Sequence, residues 1–440
     1  MTNDEIRTRP VARLAEAARE SAAESAAVRR GMEPSLDAFA RVVLGLVAEP
    51  GDGVLGRLVA GVGAPAAAEL LLARASAERL VQALGEVGDD LDLREATVAR
   101  DRWLPRLVHR DLVASLAQAV RVGALLLVPG DACWPSGVDE LGVHAPLGLW
   151  VRGRPDALAG SQPAIALVGA RAATGYGEHV TMEASAGLVD RGFTVVSGGA
   201  YGIDGMAHRA ALASDGTTVA FLAGGVDRFY PLGHESLLGR IAETGAVVAE
   251  LPCGSAPTKW RFLMRNRLIA AATDATVVLE AGTRSGSLNT AGHASELGRP
   301  LGAVPGPVTS PASAGCHRLL REYDAVCVVD AEQMAELVLG GLRPQSRATT
   351  DARRAEQEAL ATSESPGALP RFDDQVDPRM IRVLDAVSTR SPRPLDDVAR
   401  RAGLTVPETM SALGRLEAVG IAVRDERGWR RRRASSNARG

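Results

Sequence analysis

One short segment of the chain, KWRFLMRNRLIAAATD (259–274), combines cations with aromatic rings. The cations are Lys259, Arg261, Arg265 and Arg267, and the rings are Trp260 and Phe262. Cations neutralise phosphates and aromatic rings stack on bases, so the combination is typical of segments that bind single-stranded nucleic acid. Because a helix would turn Arg265 and Arg267 to different faces, we expect one of the two to be structural. A nucleic-acid contact and an ordinary packed helix remain equally good interpretations of the segment alone.

Five glycine-rich turns each follow a predicted β-strand. They are VGARAATGYG (168–177), SGGAYGIDGMAH (197–208), AGGVDRFYP (223–231), EAGTRSGSLNTA (280–291) and AVPGPV (303–308). Glycine lets the backbone approach a ligand closely, and amides at the helix N-termini that follow attract anions. Hydroxyl donors come from Ser197, Ser285, Ser287 and Thr290. Since the carboxyl ends of parallel strands share one edge of a sheet, we predict a phosphate-binding floor at that edge.

The patterns of known catalytic classes do not accompany these turns. The dinucleotide fingerprint G-x-G-x-x-G is not met after the first strand, and the Walker A, H-E-x-x-H and G-x-S-x-G patterns are absent from the sequence. Asp204 is expected to organise its loop or to cap a helix, and His208 and His293 are expected to be structural or solvated. Glu280 stays open, either as a partner of Arg267 or as an acceptor for a ribose-like hydroxyl. We therefore expect no catalytic residue, no cofactor and no metal.

Short β-branched runs alternate with amphipathic stretches over about 124–329. The runs are 164–168, 194–196, 217–222, 246–250, 275–280, 301–304 and 325–329. The amphipathic stretches between them include 178–189, 206–212, 236–241 and 288–297. Strands without polar alternation, separated by helices, indicate a parallel sheet covered on both faces. The expected fold class is α/β, with a Rossmann-like doubly wound parallel sheet as the core.

The regions around this core have different patterns. The predicted organisation is a leader (1–30, a frayed helix or disordered), a helical, SAM-like domain (31–123), the Rossmann-like core (124–340), a linker rich in Arg, Thr, Ser, Glu and Pro (341–376), a winged-helix domain (377–433) and a tail (434–440). The winged helix is predicted from three helical patterns and a short hairpin. Its role in DNA contact, protein contact or dimerisation is left open.

Composition limits the classes of protein that fit. The chain has 440 residues, of which 46% are hydrophobic and 23% charged, as in folded proteins of more than one domain. The apolar runs are strand-sized, far below the roughly 20 residues of a membrane span, and a signal peptide is not visible. We therefore expect a cytoplasmic protein that has no membrane partner.

Residues 379–440 hold 14 arginines against 7 acidic residues, which is compatible with nucleic acid or with a solvated tail. The four scattered cysteines favour neither a disulfide framework nor a zinc site.

In their order along the chain, these motifs resemble the core of the DprA/Smf family of DNA-processing proteins. The matching series is VGARxxxxYG, GxxVVSGGAxGIDxxAHxxAL, FLAGGVDxxYP, FxxRNRLIA, VVLEAxxxSGSLNTA and AVPGPV, over about 128–330. A weaker match, PGDACWP (129–135), is similar to the segment that leads into the family's core. A helical N-terminal domain and a C-terminal winged helix are also common in that family.

The resemblance implies a homodimeric protein that binds and protects single-stranded DNA without a chemical step. It would deliver the strand to the RecA recombinase in natural transformation (competence) or related DNA recombination. The DNA-binding residues that it implies are Arg171, Ser197, Gly198, Gly224, Lys259, Phe262, Arg265, Asn266 and Arg267. Ser285 and Gly286, from the glycine-rich floor, complete the predicted site together with Tyr201.

Tyr201 is one of several departures from the family's pattern. It stands in A-Y-G-I-D where the family usually has A-R-G-I-D, so a cation is lost and a ring that can stack on a base is gained. The common F-P-x-R-N-R becomes F-L-M-R-N-R, and the usual Gly-Leu-Ser after it becomes Ala-Ala-Thr (271–273). These departures bear on affinity and partner choice more than on class.

Two other functions compete with this interpretation. Rossmann-like hydrolases of the lysine-decarboxylase-like (LOG) type resemble the core in outline and bind a nucleoside monophosphate at the same strand ends. Their P-G-G-x-G-T-x-x-E signature is missing here. A regulator that binds double-stranded DNA through the winged helix is the third possibility.

Overall fold

The computed structural model describes residues 36–340 and 377–432. The predicted leader, linker and tail lie outside these ranges. The described chain begins with α1 (Leu36–Val47), α2 (Gly53–Val62), α3 (Ala64–Leu72), α4 (Ala77–Gly85), α5 (Leu93–Trp103) and α6 (His109–Arg121). Within the described ranges no single helix is long and apolar enough to cross a membrane, although α2 and α3 pass that test together across a bend of 116°.

The strands of the next region join in one sheet of nine strands. They are β1 (Leu125–Leu127), β2 (Leu149–Gly153), β3 (Ala164–Gly169), β4 (Thr194–Ser197), β5 (Thr218–Leu222), β6 (Ala246–Ala249), β7 (Ala275–Glu280), β8 (Leu301–Ala303) and β9 (Val326–Cys327). Their order across the sheet is β1-β2-β6-β5-β4-β3-β7-β8-β9, and neighbours from β6 to β9 are parallel. β2 is antiparallel to both β1 and β6. The expected doubly wound α/β core is confirmed, and the sheet has two further strands, β1 and β2, that lie outside the predicted runs.

Helices cover both faces of this sheet. They are α7 (Gly175–Asp190), α8 (Ile203–Ala213), α9 (Glu235–Thr244), α10 (Lys259–Ala271), α11 (Ser287–Glu296), α12 (Ala314–Glu322) and α13 (Ala331–Leu339). Along β3, Ile165 and Leu167 are buried in the cluster that includes residues of α7, α8 and α13. Ala166 and Val168 point to the opposite face and are buried with residues of α10 and α11. Burial on both faces explains why this strand reads as a continuous apolar run.

The N-terminal helices share their core with one end of the sheet. Leu44 of α1 and Trp103 of α5 belong to the same buried cluster as Trp150 of β2 and Val247 of β6. The indole Nε1 of Trp103 donates to Asp52, which precedes α2, at 3.0 Å. These helices are therefore packed onto the antiparallel end of the sheet, beside β2 and β6.

The C-terminal module, residues 377–432, has a core of its own. It consists of α14 (Pro378–Ala386), α15 (Leu395–Ala402), α16 (Val406–Ala418), and a hairpin of β10 (Ala422–Asp425) and β11 (Gly428–Arg431). Thr405 and Glu408 form a capping box at the start of α16. The buried cluster of the module includes Val383, Leu413 and Trp429 and contains no residue of 36–340. Helices and hairpin lie where the sequence predicts them, and the assignment as a winged helix stays a prediction.

His208 of α8 gives the core an expected pH dependence. Its ring is buried, with Nδ1 2.7 Å from the Thr218 hydroxyl, and burial lowers its pKa to about 3. The unfolded chain then binds this proton at a higher pH than the folded chain does, so stability is fully present above about pH 6.5 and falls as the pH decreases toward 3. We expect the free energy of unfolding to fall by up to about 1.4 kcal/mol per pH unit in this window.

Urea unfolding of the wild type and of His208→Gln at pH 7 and pH 5 measures this contribution. The variant keeps a donor for Thr218 but does not titrate, so its stability is expected to change less between the two pH values. Equal changes in the two proteins would contradict the assignment of this pH dependence to His208.

Candidate nucleic-acid interface

Three loops meet where the strand order of the sheet reverses. β3 lies between β4 and β7, and ligands of doubly wound sheets bind in the crevice at such a reversal, beyond the carboxyl ends of the strands. The backbone N–H of Ala170, after β3, donates to the carbonyl of Glu280 at the end of β7, at 2.7 Å. The N–H of Ile203, after β4, donates to the carbonyl of Ala170 at 3.1 Å. These bonds hold the exposed Arg171 at the rim of the crevice.

Gly202 allows two of these loops to approach so closely. Its φ is +75°, and a Cβ at this position would lie 2.2 Å from the carbonyl oxygen of Ala170 and 2.5 Å from that of Arg171. Backbone atoms cannot move aside as a flexible side chain could. The position therefore requires glycine, and it sets the path of the loop that carries Arg171.

A stack of cations and rings lies at the crevice. The guanidinium carbon of Arg171 lies 4.8 Å from the ring centroid of Phe262 in α10, within the distance of a cation–π contact. The ring of Tyr230 lies 5.8 Å from Phe262 and is tilted against it by 53°. Tyr230 is 47% exposed and Phe262 is half-buried, so both rings keep surface available to a ligand. The arrangement can neutralise a phosphate and stack a base at one place.

Lys259 is exposed at the first position of α10. The helix begins there because the hydroxyl of Thr258 accepts a hydrogen bond from the N–H of Arg261 at 3.2 Å. Lys259 and Phe262 are three residues apart in this helix and therefore share a face. The sole lysine of the chain thus lies one helical turn from the stack.

Arg265 is buried and fixed by backbone carbonyls. Its Nη1 donates to the carbonyls of Gly198 at 2.7 Å and Phe221 at 2.5 Å. Burial lowers the pKa of Arg265 to about 10, partly offset by the nearby Asp204. Burial also raises the pKa of Asp204, whose carboxylate accepts from the N–H of Ala200 at 3.4 Å. Asp204 therefore organises its loop as expected, while Gly202 occupies the cap position of α8.

Arg267 and Asn266 are likewise directed into the protein. Arg267 donates through both Nη atoms to the carboxylate of Glu250, at 2.9 and 2.8 Å. The expectation that only one of Arg265 and Arg267 is structural is wrong, because α10 is packed so that both guanidinium groups have protein acceptors. The suggested pairing of Glu280 with Arg267 is also wrong, since Glu280 accepts from the N–H and the hydroxyl of Thr174 at 2.9 and 2.6 Å.

The Asn266 amide nitrogen connects α10 to the floor residues. It donates at 3.2 Å to the carbonyl of Gly286 and at 3.2 Å to Oδ1 of Asn289. Gly286 is exposed beside Ser285, whose hydroxyl lies 2.8 Å from that of Ser287. Ser285 and Gly286 thus lie at the crevice edge, where the hydrogen bond from Asn266 of α10 fixes the backbone of Gly286.

The other predicted floor residues are mostly interior. Ser197 is buried and its hydroxyl donates to the carbonyl of Leu167 at 2.6 Å. A Cβ on Gly198 would lie 2.4 Å from the Arg265 guanidinium, and one on Gly224 would lie 2.9 Å from the carbonyl of Ser255. These glycines serve the close packing of the floor.

Tyr201 lies on the loop after β4, immediately before Gly202. It is 49% exposed, and its ring lies 4.7 Å from the ring of His234 in an edge-on arrangement. Tyr230 was not among the predicted site residues. Its signal was present in the turn AGGVDRFYP, where an aromatic residue follows a strand end.

Known proteins align with this chain over most of its length. The sequence profile of the family "DNA recombination-mediator protein A" matches residues 125–339. A Mycobacterium tuberculosis protein that bears the name DprA is 41% identical over 92% of this chain and 96% of its own length. The protein Smf of Escherichia coli is 35% identical over 82% of this chain and 96% of its own length.

A solved structure is similar as well. The X-ray structure of DprA from Streptococcus pneumoniae superposes with a TM-score of 0.53 at 27% identity, and it covers 69% of this chain and 98% of that protein. The identities extend well beyond the Rossmann-like core and cover nearly the full length of two relatives. The chain therefore belongs to the DprA/Smf family of DNA-processing proteins.

Proposed function

We propose that this protein binds single-stranded DNA at the crevice and catalyses no reaction on it. The observation that carries the proposal is the stack of Arg171 on Phe262, one helical turn from Lys259. Two cations would contact consecutive phosphates, while Phe262 and the exposed rings of Tyr201 and Tyr230 would stack on bases. Base stacking tolerates every sequence because each base has an aromatic face.

The remaining predicted residues are assigned to two roles within this site. Ser285 and Gly286 offer a hydroxyl and a backbone amide at the crevice edge. The interior residues shape the floor and fix α10, and this group consists of Ser197, Gly198, Gly224, Arg265, Asn266 and Arg267. Their supporting role follows from the carbonyls, carboxylates and backbone that they contact.

The biological role that we propose follows from family membership. The protein would protect single strands and help to load the RecA recombinase on them, as a homodimer in the cytoplasm, during natural transformation or related recombination. The protein–protein contacts of this role belong to surfaces other than the crevice, which the strand occupies.

The single lysine of the chain permits a direct test of the proposed function. Lys259 and the N-terminal amine are the amines that an acylating reagent can modify, and mass spectrometry of the peptides separates the two. A bound oligo-dT is expected to protect Lys259, whereas a free nucleoside monophosphate protects it little. One phosphate contributes a single exposed ion pair of about 0–1 kcal/mol, whereas a strand adds further phosphates and about 1–3 kcal/mol for each stacked base.

The folded variant Arg171→Glu is the control for this experiment. It keeps Lys259 but reverses the charge at the stack, so the protection by oligo-dT and the salt dependence of binding should both weaken. Equal protection by the mononucleotide, with release of free base over time, would instead support a nucleotide hydrolase. Preference for a duplex over the single strand would support a regulator that acts through the C-terminal module.

A further inference from the structure

The C-terminal module is docked against the first turn of α10. Oδ2 of Asp385, in α14, accepts a hydrogen bond from the backbone N–H of Trp260 at 3.0 Å. The guanidinium carbon of Arg382, one turn earlier in α14, lies 5.6 Å from the Trp260 ring centroid. Trp260 is the residue after Lys259, so the Asp385 carboxylate lies beside the turn that carries the proposed phosphate contact.

A second contact joins the module to the N-terminal helices. Gly403, in the turn after α15, lies so close to the α1–α2 connection that a Cβ would be 3.0 Å from Cγ of Glu49 and 3.0 Å from Nη1 of Arg106. Glu49 in turn accepts from Arg261 of α10 at 2.8 Å. The N-terminal helices, α10 and the module therefore meet around one buried carboxylate.

Charged groups of the module make the contacts described above. The buried apolar cluster of the module contains no residue of 36–340, and the contacts described above involve a carboxylate, guanidinium groups and a backbone amide. Charged contacts of this kind weaken with salt and compete with other anions, whereas a shared apolar core would not. A linker of 36 residues, 341–376, connects the module to the core. It is long enough to keep a released module tethered.

We propose that the docked C-terminal module restrains the DNA site, and that a single strand bound at Lys259 displaces the module from α10. The proposal rests on the proposed function. The Asp385 carboxylate accepts the Trp260 amide in the first turn of α10, so a phosphate that approaches this turn meets a like charge. The phosphate and Asp385 therefore compete for the same cationic turn, and DNA binding and module docking oppose each other.

Full-length variants with a changed charge test this competition. Asp385→Asn removes the negative charge but keeps an oxygen acceptor, and it is expected to bind oligo-dT about two- to fivefold more tightly at low salt, the size of one exposed ionic interaction. Asp396→Asn is the matched control. It removes an exposed charge from α15 of the same module and should leave affinity unchanged.

Hydrogen exchange gives the second measurement. In the wild type, oligo-dT should slow amide exchange in the loop that carries Arg171 and speed it in α14 and at Trp260. The proposed competition is overturned if Asp385→Asn and Asp396→Asn both bind with wild-type affinity, or if DNA binding slows exchange in α14. Either result leaves the proposed function intact. If neither wild type nor variants bind oligo-dT, the proposed function fails and the competition fails with it.

Discussion

Replacing Glu49 by glutamine is expected to lower the free energy of unfolding by about 3–5 kcal/mol, the usual cost of removing one partner from a buried ion pair. The carboxylate accepts from both Nε and Nη2 of Arg261, at 3.1 and 2.8 Å, and from Arg106 at 2.7 Å. Only 9% of its side chain is exposed. The arginines hold the pKa of Glu49 well below its usual range, even though burial opposes this.

The exposed pair of Glu86 and Arg79 provides the control. Both side chains are about half exposed, at 57% and 47%, so Glu86→Gln should cost no more than about 1 kcal/mol. Urea unfolding at pH 7 measures both variants. A loss in Glu49→Gln as small as in Glu86→Gln would contradict the importance given to the buried carboxylate.

Replacing Gly202 by alanine is expected to lower stability by about 3 kcal/mol and to weaken oligo-dT binding. A residue other than glycine is strained by roughly 1–3 kcal/mol at φ +75° and ψ −130°, before any clash is counted. The added methyl would also press on the backbone of Ala170 and Arg171, so the loop must move and Arg171 would lose its position over Phe262.

Gly175 offers the matched comparison for this substitution. It is the first residue of α7, its φ is not positive, and a Cβ there would meet no atom within 4 Å. Gly175→Ala should therefore keep both stability and affinity. Thermal unfolding and fluorescence anisotropy with labelled oligo-dT measure the two properties. Wild-type values for Gly202→Ala in both assays would refute the proposed role of this turn.

The sequence predicts the parallel core well because each strand carries its own signal. The run 164–168 and its counterparts are apolar on both faces, and five of the seven runs end at a glycine-rich turn. β2 lacks this signal, since its pairing with β1 and β6 depends on neighbours that are distant in sequence. The same limit applies to the ion pair of Glu49 with Arg261, which are 212 residues apart.

Residue types identified the segment 259–267 but not the direction of its side chains. Lys259 and Arg265 both look like phosphate contacts in the sequence, yet one is exposed and the other is bonded to the carbonyls of Gly198 and Phe221. Helical spacing predicts that Arg265 and Arg267 lie on different faces of α10. It does not predict that both faces pack against the rest of the protein. Arg265 is buried because α10 packs against β5, and Arg267 is buried because Glu250 accepts its hydrogen bonds.

The arrangement of apolar clusters has a consequence for how the protein denatures. The N-terminal helices share one cluster with β2 and β6, so they and the sheet must lose their structure in a single cooperative transition. The C-terminal module shares no apolar cluster with them and is joined to them by the polar contacts described above, so we expect it to melt separately. Calorimetry should therefore record two heat-absorption peaks, and no single midpoint temperature describes the whole chain. The smaller peak belongs to residues 377–432, and mutations in the buried cluster of the module should shift it while leaving the larger peak in place.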